Sequence, residues 1–549
     1  MAECPVVQIA CGNIEGRSCL RAKPKRSKQV FRYAGIPYAK PPTRELRFER
    51  PQRCSSWNGV LAAVEMPPCP MQNADAGKAT DHLLTTVNQF DEPFSKLDED
   101  CLHVTVYTTN PSKTANMPVL YWIFGGGFQT GGASGYDAQA LCGLHDVVVV
   151  VPNYRVNIFG FFTMGRETAY PGNMGLWDQV MALQWTRDNI REFGGDPENV
   201  TIFGESAGAV SVGLHLFSPV SRGLFHRAMQ HSGAANLQYI VRKEYTGALK
   251  AYLKALHITA TNQTDIIAHL KRLPAQEIIE KTKSLGPKLD IFAVVVDGDF
   301  VIEHPSKLLQ QGHTTPVPSI IGCNSTEGAC LLRTTRPKIF FSSSTEKAWF
   351  EKAKVFMLDN MQYKLEKVDQ ALETVKSIYE KDFSDNDPLK WERMASAFVS
   401  DPLFLVPSIS QALLHSGNGH PTYFYFMKHR MKCYYDDDFS MEMKKRDEFC
   451  ECDHSDDIYF TFGVPLMQGN KSRECRFSED EENLSVIWMK YIANFALTGD
   501  PNMGEKVDHE WPKYEPHGRL HLSVDVPIKE DDHLIEERYK MWKKTLPAL

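Results

Sequence analysis

Five residues constrain this chain more than any others: Gly204, Glu205, Ser206, Ala207 and Gly208, a GxSxG arrangement set between a β-branched run and an apolar one. Residues 200–203 (VTIF) read as a strand, and residues 210–217 have the apolar content of a helix. A strand that turns into a helix over one serine needs strained backbone, and glycine on both sides lets neighbouring chain come close enough to allow it. Such a turn lifts the Ser206 hydroxyl clear of the backbone at the carboxyl end of a sheet. There the N–H groups that open the helix face an incoming carbonyl. The pattern alone is short enough to arise by chance, so the strand and helix around it carry the weight.

The first half of the chain repeats the same alternation. Residues 117–124 (MPVLYWIF) and 147–151 (VVVVV, closed by Pro152) are short apolar runs of the kind that form strands buried on both faces. Between them and the strand at 200–203 lies 175–193, where Leu176, Val180, Leu183, Ile190 and Phe193 recur at helical spacing before Gly194, Gly195 and Pro197. Strand, helix, strand implies a right-handed crossover and a parallel sheet. Further helices are expected at 365–379, 481–497 and 534–542. With no internal repeat, low-complexity segment or linker, residues 1–549 read as one large domain.

A second motif points to the same chemistry. The run 117–124 ends in Gly125, Gly126, Gly127 and Phe128. A tetrahedral intermediate places charge on the former carbonyl oxygen, and preorganised backbone N–H groups stabilise it. Gly126 and Gly127, with the N–H of Ala207, are candidates for that oxyanion hole. Neither a following Lys-Ser/Thr pair nor GxGxxG spacing supports a phosphate loop instead.

Together with FRYAGIPYAKPP (31–42), DEDCLHVTVY (98–107), NYRVNIFGFF (153–162), GNMGLWDQVMALQW (172–185), FGGDPENVTIFGESAG (193–208) and HRAMQHSG (226–233), these residues resemble the type-B carboxylesterases, which include the cholinesterases. The resemblance covers essentially the whole chain. It implies an α/β-hydrolase fold, a large, mostly parallel twisted β-sheet flanked by helices, and cleavage of a small-molecule ester through an acyl-enzyme on Ser206. It also implies the remaining catalytic groups. From spacing alone Glu327 is one of many acids, but Asn324-Ser325-Thr326-Glu327-Gly328 matches the family's acid loop. Eight histidines follow Glu327; the resemblance selects His454, in DHSDDIYFTFG, with His420 as runner-up. It further implies Glu205 and Ser232 behind the triad, a disulfide between Cys69 and Cys101, and ion pairs joining Arg47 to Glu99 and Arg155 to Asp178. No Trp lies between Cys69 and Cys101, where cholinesterases hold a quaternary ammonium by cation–π attraction, so choline esters are not expected as preferred substrates. Phe124 stands where relatives more often carry His or Tyr.

Composition closes off other classes. A formal net charge of -7 without a basic stripe excludes a nucleic-acid partner as the expectation, and the basic run 21–28 reads as a solvated turn. No run approaches the length of apolar sequence that a spanning helix requires. Thirteen cysteines show no zinc-type spacing, so neither a metal nor an organic cofactor is expected, and most cysteines read as free core thiols. Of the sequons at Asn199, Asn262, Asn324, Asn470 and Asn483, a glycan at Asn324 would crowd the acid loop. With no leader pattern in the first residues, this points to a cytosolic enzyme, a secreted or ER-lumenal one being the alternative. The functional expectation is a broad serine carboxylesterase that accepts xenobiotic esters and binds organophosphates. Its rivals are a non-catalytic adhesion or binding module, and a narrow lipid, hormone or choline esterase.

Overall fold

The computed structural model describes residues 4–19, 22–23, 27–73, 96–237, 241–242, 246–283, 292–334, 345–361, 364–439, 445–467 and 476–546. Asn470 and part of the basic run 21–28 lie outside the described residues.

Eleven strands form one mixed sheet. In chain order they are β1 (Arg17–Ser18), β2 (Phe31–Pro37), β3 (His103–Thr108), β4 (Met117–Ile123), β5 (Val148–Pro152), β6 (Gly195–Glu205), β7 (Arg227–His231), β8 (Ser319–Asn324), β9 (Thr422–Met427), β10 (His521–Val524) and β11 (Lys529–Asp531). Across the sheet the order is β11-β10-β9-β8-β7-β6-β4-β5-β3-β2-β1. The ladders from β5 through β4 and β6 to β10 are parallel, while β1 to β3 at one edge and β11 at the other join antiparallel. Every residue of β4 and β5 is buried, as strands covered by helices on both faces must be.

Helix α1 (Met174–Asn189) and the tight turn Ile190–Phe193 fill the predicted helical stretch and stop at Gly194, whose φ is 86°. Strand β6 begins earlier than the sequence suggests, at Gly195: a register shift between Gly195 and Val200 accommodates Pro197 as a bulge. It leads through Ser206 into α2 (Ala207–Phe217), buried along its whole length. The predicted helices at 365–379 and 481–497 form as Leu365–Tyr379 and Glu479–Thr498, the latter opened by a Ser478/Glu481 capping box. The stretch Lys390–Gly417 is long and apolar enough to cross a membrane by length and composition, yet most of it is packed inside the protein, as a core helix is.

The ion pairs that the resemblance implies are present. Arg47 forks onto Glu99 at 2.7 and 2.6 Å, and Arg155 onto Asp178 at 2.8 Å twice. The bridge expected between Cys69 and Cys101 is not formed: both side chains are buried, and no disulfide joins them. Cys69 Sγ lies 3.0 Å from Ser134 Oγ instead. Burial pushes both thiols up, Cys69 to about 11. The loop is closed by backbone pairing of Cys69–Pro70 with Leu97–Asp98. Cys433 is disulfide-bonded, while most of the described cysteines are unbridged, as expected.

Candidate active site

The carboxyl ends of β4, β6, β7 and β8 meet at one place. Ser206 sits between β6 and α2 with φ 56° and ψ -123°, a conformation that non-glycine residues adopt only under constraint. The constraint is close packing. A Cβ on Gly208 would lie 1.9 Å from the Ile123 carbonyl oxygen, and one on Gly204 2.6 Å from the same atom. Both glycines of the motif therefore let the turn rest on the end of β4. On the other side the Ser206 N–H donates to the His231 carbonyl at the end of β7, 2.9 Å away.

The glycine loop abuts this turn: a Cβ on Gly125 would come within 3.0 Å of Ser206 Cβ. Gly126 and Gly127 have φ of 107° and 61°, and the space where a Gly127 side chain would point is empty to 4 Å. The N–H groups of Gly126, Gly127 and Ala207 have no protein acceptor among the described residues. Phe124 is locked into the core, stacked on Tyr154 at 4.2 Å while Tyr154 donates its hydroxyl to the Phe124 carbonyl at 2.7 Å.

Two loops bring the acid and the base together. Residues 324–327, at the end of β8 and just beyond it, pair with 451–453 through a bridge between Thr326 and Asp453. The Thr326 N–H donates to the Cys452 carbonyl at 2.9 Å, and Asn324 Nδ2 donates to the Asp453 carbonyl at 2.8 Å. That zipper delivers Glu327 to His454. Glu327, fully buried, accepts the Asn324 N–H on Oε1 at 2.7 Å and sits 2.6 Å from His454 Nδ1 through Oε2. Asn324 is itself buried with its amide engaged, which leaves no access for a glycan in the folded protein.

The other imidazole nitrogen, Nε2, lies 3.2 Å from Glu205 Oε1, which also accepts the Ser455 hydroxyl at 2.5 Å. Among the described residues no hydrogen bond links Ser206 Oγ to the ring, an arrangement common before substrate tightens a site. Burial disfavours charge on His454, but the carboxylates of Glu205 and Glu327 outweigh it and raise its pKa. Burial in turn raises Glu205, against the pull of His454 and Ser455. Ser232 is buried at φ 57°, and its hydroxyl has no hydrogen-bond partner among the described residues. His420 packs against His415 at the amino end of β9, the opposite end of the sheet from this site.

Sequence reasoning missed three neighbours. Phe404 covers the imidazole, ring centroids 4.7 Å apart. Asp453 accepts the His454 N–H at 2.8 Å. Asp457 takes hydrogen bonds from His231, Tyr425 and Asn324 at 2.9, 2.9 and 3.2 Å, which together outweigh burial and hold its carboxyl below the usual range. The acid-rich DHSDD run was the available signal for the two aspartates; Phe404 had none. No cluster of three metal-ligating side chains occurs among the described residues.

A strained serine, an imidazole oriented by a carboxylate and unengaged N–H donors are the components of acyl transfer. Comparison with known proteins agrees with that chemistry. The profile of the carboxylesterase family matches residues 3–542. Carboxylesterase 5A of Mus musculus is 36% identical over 527 residues, covering 95% of this chain and 86% of its own. The Homo sapiens protein of the same name is 35% identical over 554 residues, covering 100% and 90%. The medium-chain fatty acyl-CoA hydrolase precursor of Anas platyrhynchos is 33% identical over 545 residues, covering 98% and 92%.

Proposed function

The chain belongs to the carboxylesterase family and is a carboxylic ester hydrolase, and we propose that Ser206, His454 and Glu327 perform the reaction. His454 takes the proton from Ser206 as the hydroxyl attacks the ester carbonyl. The N–H groups of Gly126, Gly127 and Ala207 hold the oxyanion. The alcohol leaves with a proton from His454, and a water activated by the same imidazole then hydrolyses the acyl-enzyme. Glu327 keeps the proton on Nδ1 throughout, so that Nε2 faces the reaction. The observation that carries this reading is the 2.6 Å contact between Glu327 and His454 next to the strained Ser206 turn. A non-catalytic binding module is disfavoured because all three groups are present, and the mechanism has no step that needs a cofactor.

The substrate range we infer is broad, with xenobiotic esters included and organophosphates bound as mimics of the tetrahedral state. Support comes from the likeness to several named carboxylesterases and from the missing indole between Cys69 and Cys101. We also take residues 1–549 as one unit, a reading supported by a family match that runs almost end to end. For compartment, the cytosolic expectation gives way to the secreted or lumenal alternative. A disulfide at Cys433 favours an oxidising environment, and the Anas platyrhynchos relative is named a precursor. A p-nitrophenyl ester series of increasing acyl length tests the range. Turnover across short and long acyl groups is expected; turnover confined to one length would replace breadth with narrow specificity.

A further inference from the structure

The base rides on a loop whose outer side is gripped by one cation that the mechanism does not use. Arg446 is 8% exposed and Asp456 1%. The guanidinium forks onto Asp456, with Nη1 to Oδ2 at 2.6 Å and Nη2 to Oδ1 at 2.9 Å. Its plane lies over the Tyr434 ring, 3.4 Å from the centroid, and its backbone N–H donates to the Tyr434 carbonyl at 3.1 Å. Only arginine combines a planar fork for a carboxylate with a flat face for an aromatic ring.

The grip passes inward through short bonds. Asp456 Oδ2 accepts the Asp453 N–H at 2.7 Å, and the Asp456 N–H donates to the Asp453 carbonyl at 3.1 Å, closing a tight turn around His454. Asp453 Oδ1 then accepts the N–H groups of His454 and Cys330 at 2.8 and 3.0 Å, tying the base to the helix that follows the acid loop. Within the turn, Ser455 is held at φ 70° with its hydroxyl on Glu205. The zipper to residues 324–327 holds one stretch of the loop, and Arg446 holds the turn through Asp456 and a further 3.9 Å contact with Asp453.

We propose that Arg446 is a positioning residue for the ester hydrolysis, setting the direction of the His454 imidazole through Asp456 and Asp453. This rests on reading His454 as the base. A buried fork that loses its cation leaves Asp456 unpaired, and the turn it braces relaxes. Displacement of a catalytic group by about 1 Å costs up to about 100-fold in rate.

The test is steady-state hydrolysis of a short-chain p-nitrophenyl ester by the full chain, in wild type and the variants Arg446→Gln, Arg446→Lys, Asp456→Asn, the Arg446→Gln/Asp456→Asn double and His454→Gln, each checked by circular dichroism. Arg446→Gln should lower kcat by about 10- to 100-fold with KM unchanged, the signature of a lost transition-state geometry. Arg446→Lys, which keeps charge but not fork or stacking, should recover part of the loss. The double variant should be no worse than the poorer single one, since the fork between the two side chains is already lost in each single variant. A folded Arg446→Gln enzyme with kcat within about twofold of wild type would overturn the proposal, as would losses that multiply in the double variant. If Arg446→Gln does not fold, Arg446→Lys and Asp456→Asn decide by the same kcat criterion. An active His454→Gln enzyme would instead bring down the assignment of the base.

Discussion

Glu327 uses its two oxygens for two tasks: one fixes the carboxylate to its own loop through the Asn324 N–H, and the other faces His454 Nδ1. Replacing it by Gln keeps the shape but presents a donor or a neutral acceptor to the ring, favouring the wrong tautomer. The Glu327→Gln enzyme should lose about 10³- to 10⁴-fold in kcat, with circular dichroism unchanged; activity near wild type would remove Glu327 from the mechanism. At Gly208 the expected failure is structural. A methyl group 1.9 Å from the Ile123 carbonyl cannot be accommodated without parting α2 from β4, so Gly208→Ala should yield insoluble protein or a markedly lowered Tm, read by solubility and a thermal melt. Ser206 and the glycines around it were legible from the residues, because their constraint is local backbone geometry. Glu327 and His454 were not: they lie 127 positions apart, and only the likeness to a family singled them out before the structure did. Phe404 illustrates what stays hidden, a side chain with nothing unusual in its own neighbourhood that reaches the imidazole through tertiary packing.

Elements were easier to read than their ends. The apolar runs became β4 and β5 almost residue for residue, whereas β6 starts five residues before the predicted 200–203 because a bulge absorbed Pro197. What pattern could not supply was the pins between elements. His429, just past β9, contacts Asp525 after β10 at 3.1 Å and Glu481 of the helix Glu479–Thr498 at 3.4 Å. Burial opposes its charge, but the two carboxylates dominate and push its pKa up to about 9. A folded-state pKa above the unfolded value near 6.5 means that the stabilisation is fully present below about pH 6.5 and is lost as pH rises toward about 9. Thermal melts across that range should show wild type losing Tm relative to His429→Gln. Parallel curves for the two proteins would show that His429 does not couple to folding.

At the scale of the whole molecule, a mostly parallel sheet gathers distant segments at its carboxyl edge and must hold them there. Arg155 does part of this, forking onto Asp178 of α1 while donating to the Glu49 carbonyl at 2.8 Å. Asp178→Asn should cost about 3–5 kcal/mol in urea unfolding, the range for breaking one side of a buried pair; a change below about 1 kcal/mol would mean that the fork is dispensable. Fold class was legible at this scale because alternating strands and helices leave few arrangements, while the cysteine chemistry was not: the expected Cys69–Cys101 bridge is absent and Cys433 is bonded. The central claim, an acyl-enzyme on Ser206, is tested most directly by treating wild type and Ser206→Ala with a fluorophosphonate and following ester turnover and the modified peptide by mass spectrometry. The account predicts an adduct on Ser206 with complete loss of turnover in wild type, and neither adduct nor turnover in the folded variant. A Ser206→Ala protein that still hydrolyses the ester, or an adduct on another residue of the inhibited enzyme, would contradict it.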